Sequence, residues 1–372
     1  MNLVGFVNAL LININLIAGL NDPQTKITPV GFLRMLYENN AATDINNLAD
    51  LRAGHTRDIK VRYMQRGVES EVSSTDDCEI SIKPEWKETT IPNTQFSKIG
   101  IFISDEDMRK YQEEASQTLA AGTPSAPLMR ALYETLRVKI NGLLQKMDTN
   151  LVTAQNSKWG KNIAYGKSTA QTIALGATAG LNNGYVQLLA DAQANEIADD
   201  LLICGSGKVT QYDIYQRIKN GVDASGIASL PLNAYYDPKA ATIWGADHFG
   251  VFAKGMIGIV DWNKNVGSFA GEKGGSIFFT LPMPLQVGDK VLPITFDAQL
   301  KYEDCPTEDH GRGWILLISK NYALFNAPTD AFAETDRLNG MNGSLHYVAT
   351  DVDAVQTVAP AANAVFTTKA QA

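Results

Sequence analysis

Cysteine and histidine are scarce in this chain of 372 residues, which has three of the first and four of the second. Cys78, Cys204 and Cys305 lie far apart and form no C-x-x-C pair. Neither a disulfide framework nor a structural zinc site is expected, and a reducing compartment such as the cytosol suits assembly. Positive charge is also short: 32 Lys and Arg stand against 40 Asp and Glu, a formal net charge of -8. Gripping phosphate backbones takes clustered Lys and Arg that release counterions, so free nucleic acid is a poor partner. No apolar run is long and clean enough to span a bilayer. Residues 1–20 are apolar, but no Lys or Arg precedes Lys26, and Asn8, Asn13 and Asn15 interrupt the run, unlike a targeting segment. That segment is expected to dock, on the chain's own core or on a neighbour.

What is present is an ordinary core-forming composition, 45% hydrophobic and 19% charged. A chain of this length forms two or so domains, or one elaborate one. Residues 1–55 mix short apolar runs with Asn-rich turns and read as an arm with small helices. From 56 to 98 the character changes, because 15 of those 43 residues are charged, seven basic and eight acidic. Val61–Met64 and Cys78–Lys83 show partial alternation, with Ser73–Asp77 between them as a turn, so Arg57–Lys98 reads as a long hairpin. Such charge density leaves few apolar side chains for a core, and an isolated two-stranded hairpin is marginal in water. Its stability is expected to come from a partner surface.

Beyond the hairpin, Ile99–Ile103 is a buried-looking run, closed by Ser104 as N-cap ahead of Asp105-Glu106-Asp107. Leu128, Leu132, Leu136, Ile140, Leu143, Leu144, Met147 and Leu151 form one apolar stripe, and Pro127 suits a first helical turn. The spacing predicts a long amphipathic helix over 127–156. A helix after Gly184 and a buried strand Leu201–Cys204 come next, then a turn at Gly205-Ser206-Gly207-Lys208. Thr210 and Asp213 there make a capping box. Strands are expected at Met256–Val260, Ser276–Leu281, Val291–Ala298 and Trp314–Ser319. The mix is α+β with a largely antiparallel sheet.

Chemistry-bearing motifs fail on inspection. A phosphate loop at Gly205–Lys208 would need Gly at Leu202 and Ser or Thr at Val209. A dinucleotide fingerprint would need a third glycine at Thr210. Cys305 and His310 lie within Glu303–His310, whose four acids oppose the electropositive setting that a thiolate nucleophile requires. The same acids lack the D-x-D-x-D order of a calcium loop. His55, His248 and His346 are scattered, and His248 beside Phe249 and Phe252 reads as a packed aromatic ring. No catalytic, cofactor-binding or metal-binding residue is assigned, and no enzyme activity is expected.

The order of parts resembles the major capsid proteins of tailed bacteriophages, with the Hong Kong 97-type fold. The parts are an N-terminal arm, a long charged hairpin, a long helix and a strand-rich body. Tyr235–Pro238, Ile243–Phe249 and Val260–Trp262 have a similar texture. The resemblance implies an α+β capsid fold divided into an N-arm (1–55), an extended hairpin loop (56–98) and a peripheral domain (99–180) with spine helix 127–156. An axial domain with its associated sheet (181–330) and a C-terminal segment (331–372) follow. It also implies self-assembly as hexamers and pentamers into an icosahedral head around dsDNA, in the virion, after assembly in the host cytoplasm. Portal, scaffolding and decoration proteins are the implied further partners, with weak contact to packaged DNA and none to membrane. No helical acidic N-terminal segment serves as a built-in scaffold, and no crosslinking residues are carried over. Encapsulin-like bacterial shells share the fold and are the alternative. A hydrolase with an acidic site near Glu303 to His310 is the reading from another class.

Overall fold

The structure is a computed structural model. It describes residues 3–17, 30–40, 44–64, 86–92, 94–121, 127–174, 184–195, 197, 201–205, 207, 209, 232–265, 271–273, 275–287, 290–303, 312–328 and 340–350. In chain order the elements begin with α1 (Leu3–Ile17), α2 (Gly31–Glu38), β1 (Asp44–Ile45), α3 (Leu48–Ala53), β2 (Ile59–Met64), β3 (Trp86–Ile91) and β4 (Gln95–Ser104). Next come α4 (Asp105–Ala121), α5 (Pro127–Asn156), β5 (Gln171–Ala174), α6 (Gly184–Ala194), β6 (Leu201–Gly205), β7 (Leu232–Tyr236) and α7 (Pro238–Ile243). The remainder is β8 (His248–Ala253), β9 (Ile257–Trp262), β10 (Gly271–Lys273), β11 (Ser276–Val287), β12 (Lys290–Glu303), β13 (Gly313–Asn326) and β14 (Ser344–Thr350). The architecture is α+β, as the sequence predicts.

The strands form three sheets: β1-β2-β3, β10-β11-β12-β13-β4 with β9 also on β13, and β5-β14-β8-β6-β7. All ladders are antiparallel except β14 with β5 and β6 with β7. In the large sheet, period-two alternation sends Ile277, Phe279, Leu281, Phe296, Ala298, Leu300, Leu316 and Ile318 into one core. The helix α5 lies against that core over the predicted span, with Leu132, Leu136, Ile140, Leu143, Leu144, Met147 and Leu151 of the predicted stripe all buried and the Leu128 side chain outside the described residues. Each such side chain moved out of water contributes about 1.5–3 kcal/mol. Ser104 Oγ accepts from the Asp107 N–H at 3.0 Å and donates to the Asp107 carboxylate at 2.7 Å, so the expected cap starts α4. Strand β6 is buried along its whole length because Leu202 and Cys204 face the main core while Leu201 and Ile203 face a second one, with Leu188 and Ala192 of α6. A strand covered on both sides reads as a continuous apolar run.

Of the two docking partners expected for the first segment, it takes the chain's own core: Phe6, Val7, Ala9 and Leu10 of α1 are buried there, beside α4, α5 and β11. Other expectations are revised. The ladder partner of β2 is Trp86–Ile91, in register Ile59↔Ile91 to Met64↔Trp86. Cys78–Lys83 and the acidic turn Ser73–Asp77 lie outside the described residues. Gln95–Lys98 pair with β13 in the large sheet, not within the hairpin. The hairpin base is also not destitute of core. Ile59, Val61, Tyr63 and Ile91 are buried against Val260, Trp262, Phe325 and Met341 of the same chain. Averaging charge over 43 residues hides this alternation, since every second residue of β2 is apolar. Strand β14 was not anticipated within 331–372, and the capping box at Thr210 and Asp213 lies outside the described residues.

One contact fixes how α2 meets β7. A Cβ on Gly31 would sit 2.0 Å from the Tyr236 carbonyl oxygen and 2.5 Å from its carbon, and backbone yields little. Gly31→Ala should therefore cost about 1–3 kcal/mol in denaturant unfolding, as overpacking does. Gly142 on α5 meets nothing within 4 Å. Gly142→Ala should stabilise the monomer by about 0.5–1 kcal/mol through helix propensity, so the two substitutions should move the midpoint in opposite directions.

Candidate functional site

The three-stranded sheet has two unlike faces. Inward, Ile59, Val61, Tyr63 and Ile91 close over the body. Outward, Lys60 and Arg62 of β2 stand beside Glu88 and Thr90 of β3, all exposed. Lys60 Nζ lies 3.4 Å from Glu88 Oε1, and Asn46 Nδ2 donates to Glu88 Oε2. The Asn46 hydrogen bond, more than Lys60, holds the Glu88 carboxyl below its ordinary range. Exposed pairs of this kind contribute little to stability. At the end where the chain runs on into 65–85, Trp86 is 58% exposed. Trp244, Trp262 and Trp314 are each 6–7% exposed, so a bare indole on this ribbon is a local departure. Large aromatics of this kind dominate binding energy when an interface closes over them.

A second constellation is wholly internal. Asp148 of α5 and Asp237, the N-cap of α7, are both 0% exposed. Asp237 Oδ2 accepts from the Phe32 N–H and Asp148 Oδ1 from the Leu33 N–H, each at 2.9 Å, so both carboxyls cap the first turn of α2. Lys239 joins them, its N–H on Asp237 Oδ1 at 2.9 Å and its Nζ on Asp148 Oδ2 at 2.7 Å. Burial first, and the Asp237 charge second, push the Asp148 carboxyl up to about 7, against the pull of Lys239. On the buried row of β13, Lys320 is answered similarly, by Asp261 Oδ2 at 2.6 Å and the Thr295 carbonyl at 2.7 Å.

Among the described residues, the sequence-derived candidates do not converge, His248 and His346 apart. His55 is exposed, 3.9 Å from Asp50. Gly205 ends β6, where a Cβ would meet Phe249 Cβ at 2.4 Å. It serves close strand packing, and Ser206 and Lys208 lie outside the described residues. Glu303 ends β12 in an ion pair with Lys301 at 2.6 Å, while Cys305 and His310 lie outside the described residues. Burial pushes the Cys204 thiol well above its ordinary range, which makes it a core residue and not a nucleophile. Among the described residues, no three or more His, Cys, Asp or Glu gather as metal ligands, and no helix is long and apolar enough to cross a membrane. Sequence reasoning missed Asp148 and Asp237 although each leaves a signal. Asp148 interrupts the apolar stripe of α5 between Leu144 and Leu151, and Asp237-Pro238 is a cap followed by proline at the first helical position.

His248 is packed, as expected, but with a partner that sequence reasoning overlooked. Its Nδ1 lies 2.9 Å from His346 Nε2, and the His346 ring stacks on Trp159 with centroids 4.1 Å apart. Burial, then the neighbouring ring, pull His346 down to about 4, and burial lowers His248 as well. A histidine lowered in the folded state gives stability that is full above about pH 6.5 and lost as pH falls toward 4. Thermal melts from pH 7 to pH 4 should show His346→Phe, which keeps the stack on Trp159, losing less stability than the native chain. Equal slopes would show that the pair carries no acid sensitivity.

No family model matches this chain, and no curated protein does. It is similar to solved phage structures. The cyanophage A-1(L) capsid asymmetric unit matches at 11% identity and a TM-score of 0.41, covering 86% of this chain and 93% of that one. A chain of mycobacterium phage Cain matches at 12% identity and 0.41, covering 80% and 87%. The capsid of Myoviridae phage XM1 matches at 10% identity and 0.36, covering 85% and 92%.

Proposed function

We propose that this chain is a major capsid protein of a tailed bacteriophage, a structural subunit of the Hong Kong 97 type that self-assembles into an icosahedral head around dsDNA. The observation that carries this reading is the ribbon β2-β3, anchored on its inner face and carrying a bare Trp86 and mixed charge on its outer face. It lies on a body built around a 30-residue helix. Alternating Lys60, Arg62, Asp44 and Glu88 suits a repeated protein surface better than a polyanion, whose grip needs one sign of charge. Association, not reaction, is the mechanism. Hexamers and pentamers of the chain would be its main partners, with portal, scaffolding and decoration proteins beside them. Assembly would occur in the host cytoplasm, with weak DNA contact at a net charge of -8. In this reading residues 1–55 are the N-arm, 56–98 the extended loop less Gln95–Lys98, which belong to the large sheet, 99–180 the peripheral domain, 181–330 the axial domain and 331–372 the C-terminal segment.

Electron microscopy of the expressed chain tests the reading, with closed particles as the expected result. Protein that stays monomeric at every concentration overturns it. Because Ile59, Val61, Tyr63 and Ile91 belong to the subunit's core, an informative excision spans 65–85 alone, joined by a short Gly-Ser link. It should leave a cooperatively melting monomer that forms no particles. Trp86→Ala should weaken assembly by about 2 kcal/mol per contact, roughly thirtyfold. Iodide quenching of tryptophan fluorescence should fall on assembly of the native chain and change little in that variant.

A further inference from the structure

The start of α2 is capped in an unusual way. Its own N-cap residue is Val30, which brings no side-chain oxygen. The Phe32 and Leu33 N–H groups are answered by carboxyls 205 and 115 residues away, Asp237 and Asp148. The Asp237 charge, after burial, raises the Asp148 carboxyl, as one buried acid facing another does. Every one of their four oxygens already accepts a bond, from Phe32, Leu33, Lys239 N–H or Lys239 Nζ. Among the described residues a single ammonium faces two wholly buried carboxyls, and Nζ divides itself with the Gln145 carbonyl at 2.7 Å. A buried carboxyl beside a second buried carboxyl, with one ammonium beside them, ionises less readily than in water.

We propose that the seating of α2 is a proton-linked latch: Asp148, buried beside Asp237, holds a proton while α2 is docked and releases it to bulk water when α2 lifts away. The inference stands apart from the shell reading, since it concerns one subunit. Around the pair, Lys239 comes from α7 and the Cys204 thiol from β6, and Cys204 is raised by burial and then by both acids. On α2 itself, Arg34 pairs with Glu38 at 2.9 Å, and the Tyr235 hydroxyl of β7 donates to Glu38. From β9, Asp261 accepts from the Tyr37 hydroxyl and holds Lys320. Lys239 is the cation that reaches the pair.

The sign follows from proton counting. The docked state holds a proton that a solvated Asp, titrating near 4, gives up, and burial raises Asp148 to about 7. The docked state therefore binds more protons between those values. Seating is strongest below about pH 4 and weakens as pH rises, the opening constant climbing about tenfold per pH unit until about 7 and levelling off above.

Amide hydrogen exchange of the full chain, corrected for intrinsic rates and read over residues 31–38 from pH 5 to 8, tests the latch. The expected result is that tenfold-per-unit rise confined to α2, while the Leu136–Leu144 stretch of α5 stays level. Asp148→Asn, which cannot take up the proton, should show no slope. Lys239→Met, which removes the only neighbouring cation among the described residues, should move the levelling-off to higher pH. A pH-independent α2 in the native chain overturns the proposal, as does an identical slope in Asp148→Asn. If that variant does not fold, an unmoved plateau in Lys239→Met overturns it instead.

Discussion

The fold hangs on one constraint, the burial of the apolar stripe of α5. A helix of 30 residues with Leu132, Leu136, Ile140, Leu143, Leu144, Met147 and Leu151 on one side has no stable existence until that side is covered. The cover comes from unrelated parts of the chain: α1 and α4, β4 and β13, and α2 and α7. Polar groups on α5 then fix the angle of each arrival. Asn150 Nδ2 donates to the Tyr322 hydroxyl of β13 at 2.8 Å, and the Val152 carbonyl accepts from Trp244 Nε1 at 2.8 Å. Asp148 holds α2. Apolar area supplies the stabilisation, and these few directed bonds select one arrangement among the many that would bury a similar area.

This division explains what could be read from residues alone. The helix α5, the Ser104 cap and the strands of the large sheet are local patterns, repeating every 3.6 or 2 residues, and they appear where the patterns lie. Strand order is not local. Nothing in Ser344–Thr350 says that it inserts between β5 and β8, because that pairing joins segments some 90 and 170 residues distant. The expectation that the hairpin lacks a core within its own subunit failed for a different reason. Its alternation is present in Ile59, Val61 and Tyr63, but a charge count over a long window averages a polar face with an apolar one. Among the acids, Asp148 and Asp237 were lost in a crowd of 40, although their positions on an apolar stripe and before a proline set them apart. His346 could be tied to His248 only by the β8-β14 register.

The ribbon shows how one element can serve two partners. Four inward side chains anchor β2-β3 to β9 and β13 at about 1.5–3 kcal/mol each, enough to hold a two-stranded element that would not persist alone. The outward face has no comparable cover. Its ion pair and hydrogen bonds around Glu88 are solvated and contribute little. An indole left 58% exposed beside them has apolar area still to be removed from water, which is where association energy can be concentrated. Anchoring matters to that use, because a recognition surface held rigid before contact loses less entropy when it binds.

The capping of α2 presents the opposite choice, a costly interaction in place of a cheap one. A serine or aspartate at position 30 could satisfy the same first-turn N–H groups locally, at the surface, for about 1 kcal/mol. Two buried carboxyls instead require desolvation that their hydrogen bonds and one ammonium only partly offset. What the distant caps add is coupling, since α2 can be seated only when α5 and α7 are both in place, and Gly31 lets its backbone approach Tyr236 closely enough to reach them. A local cap would start the same helix without specifying where it lies. The directed pair ties the helix to the body, and the burden of buried negative charge makes that tie sensitive to a single proton.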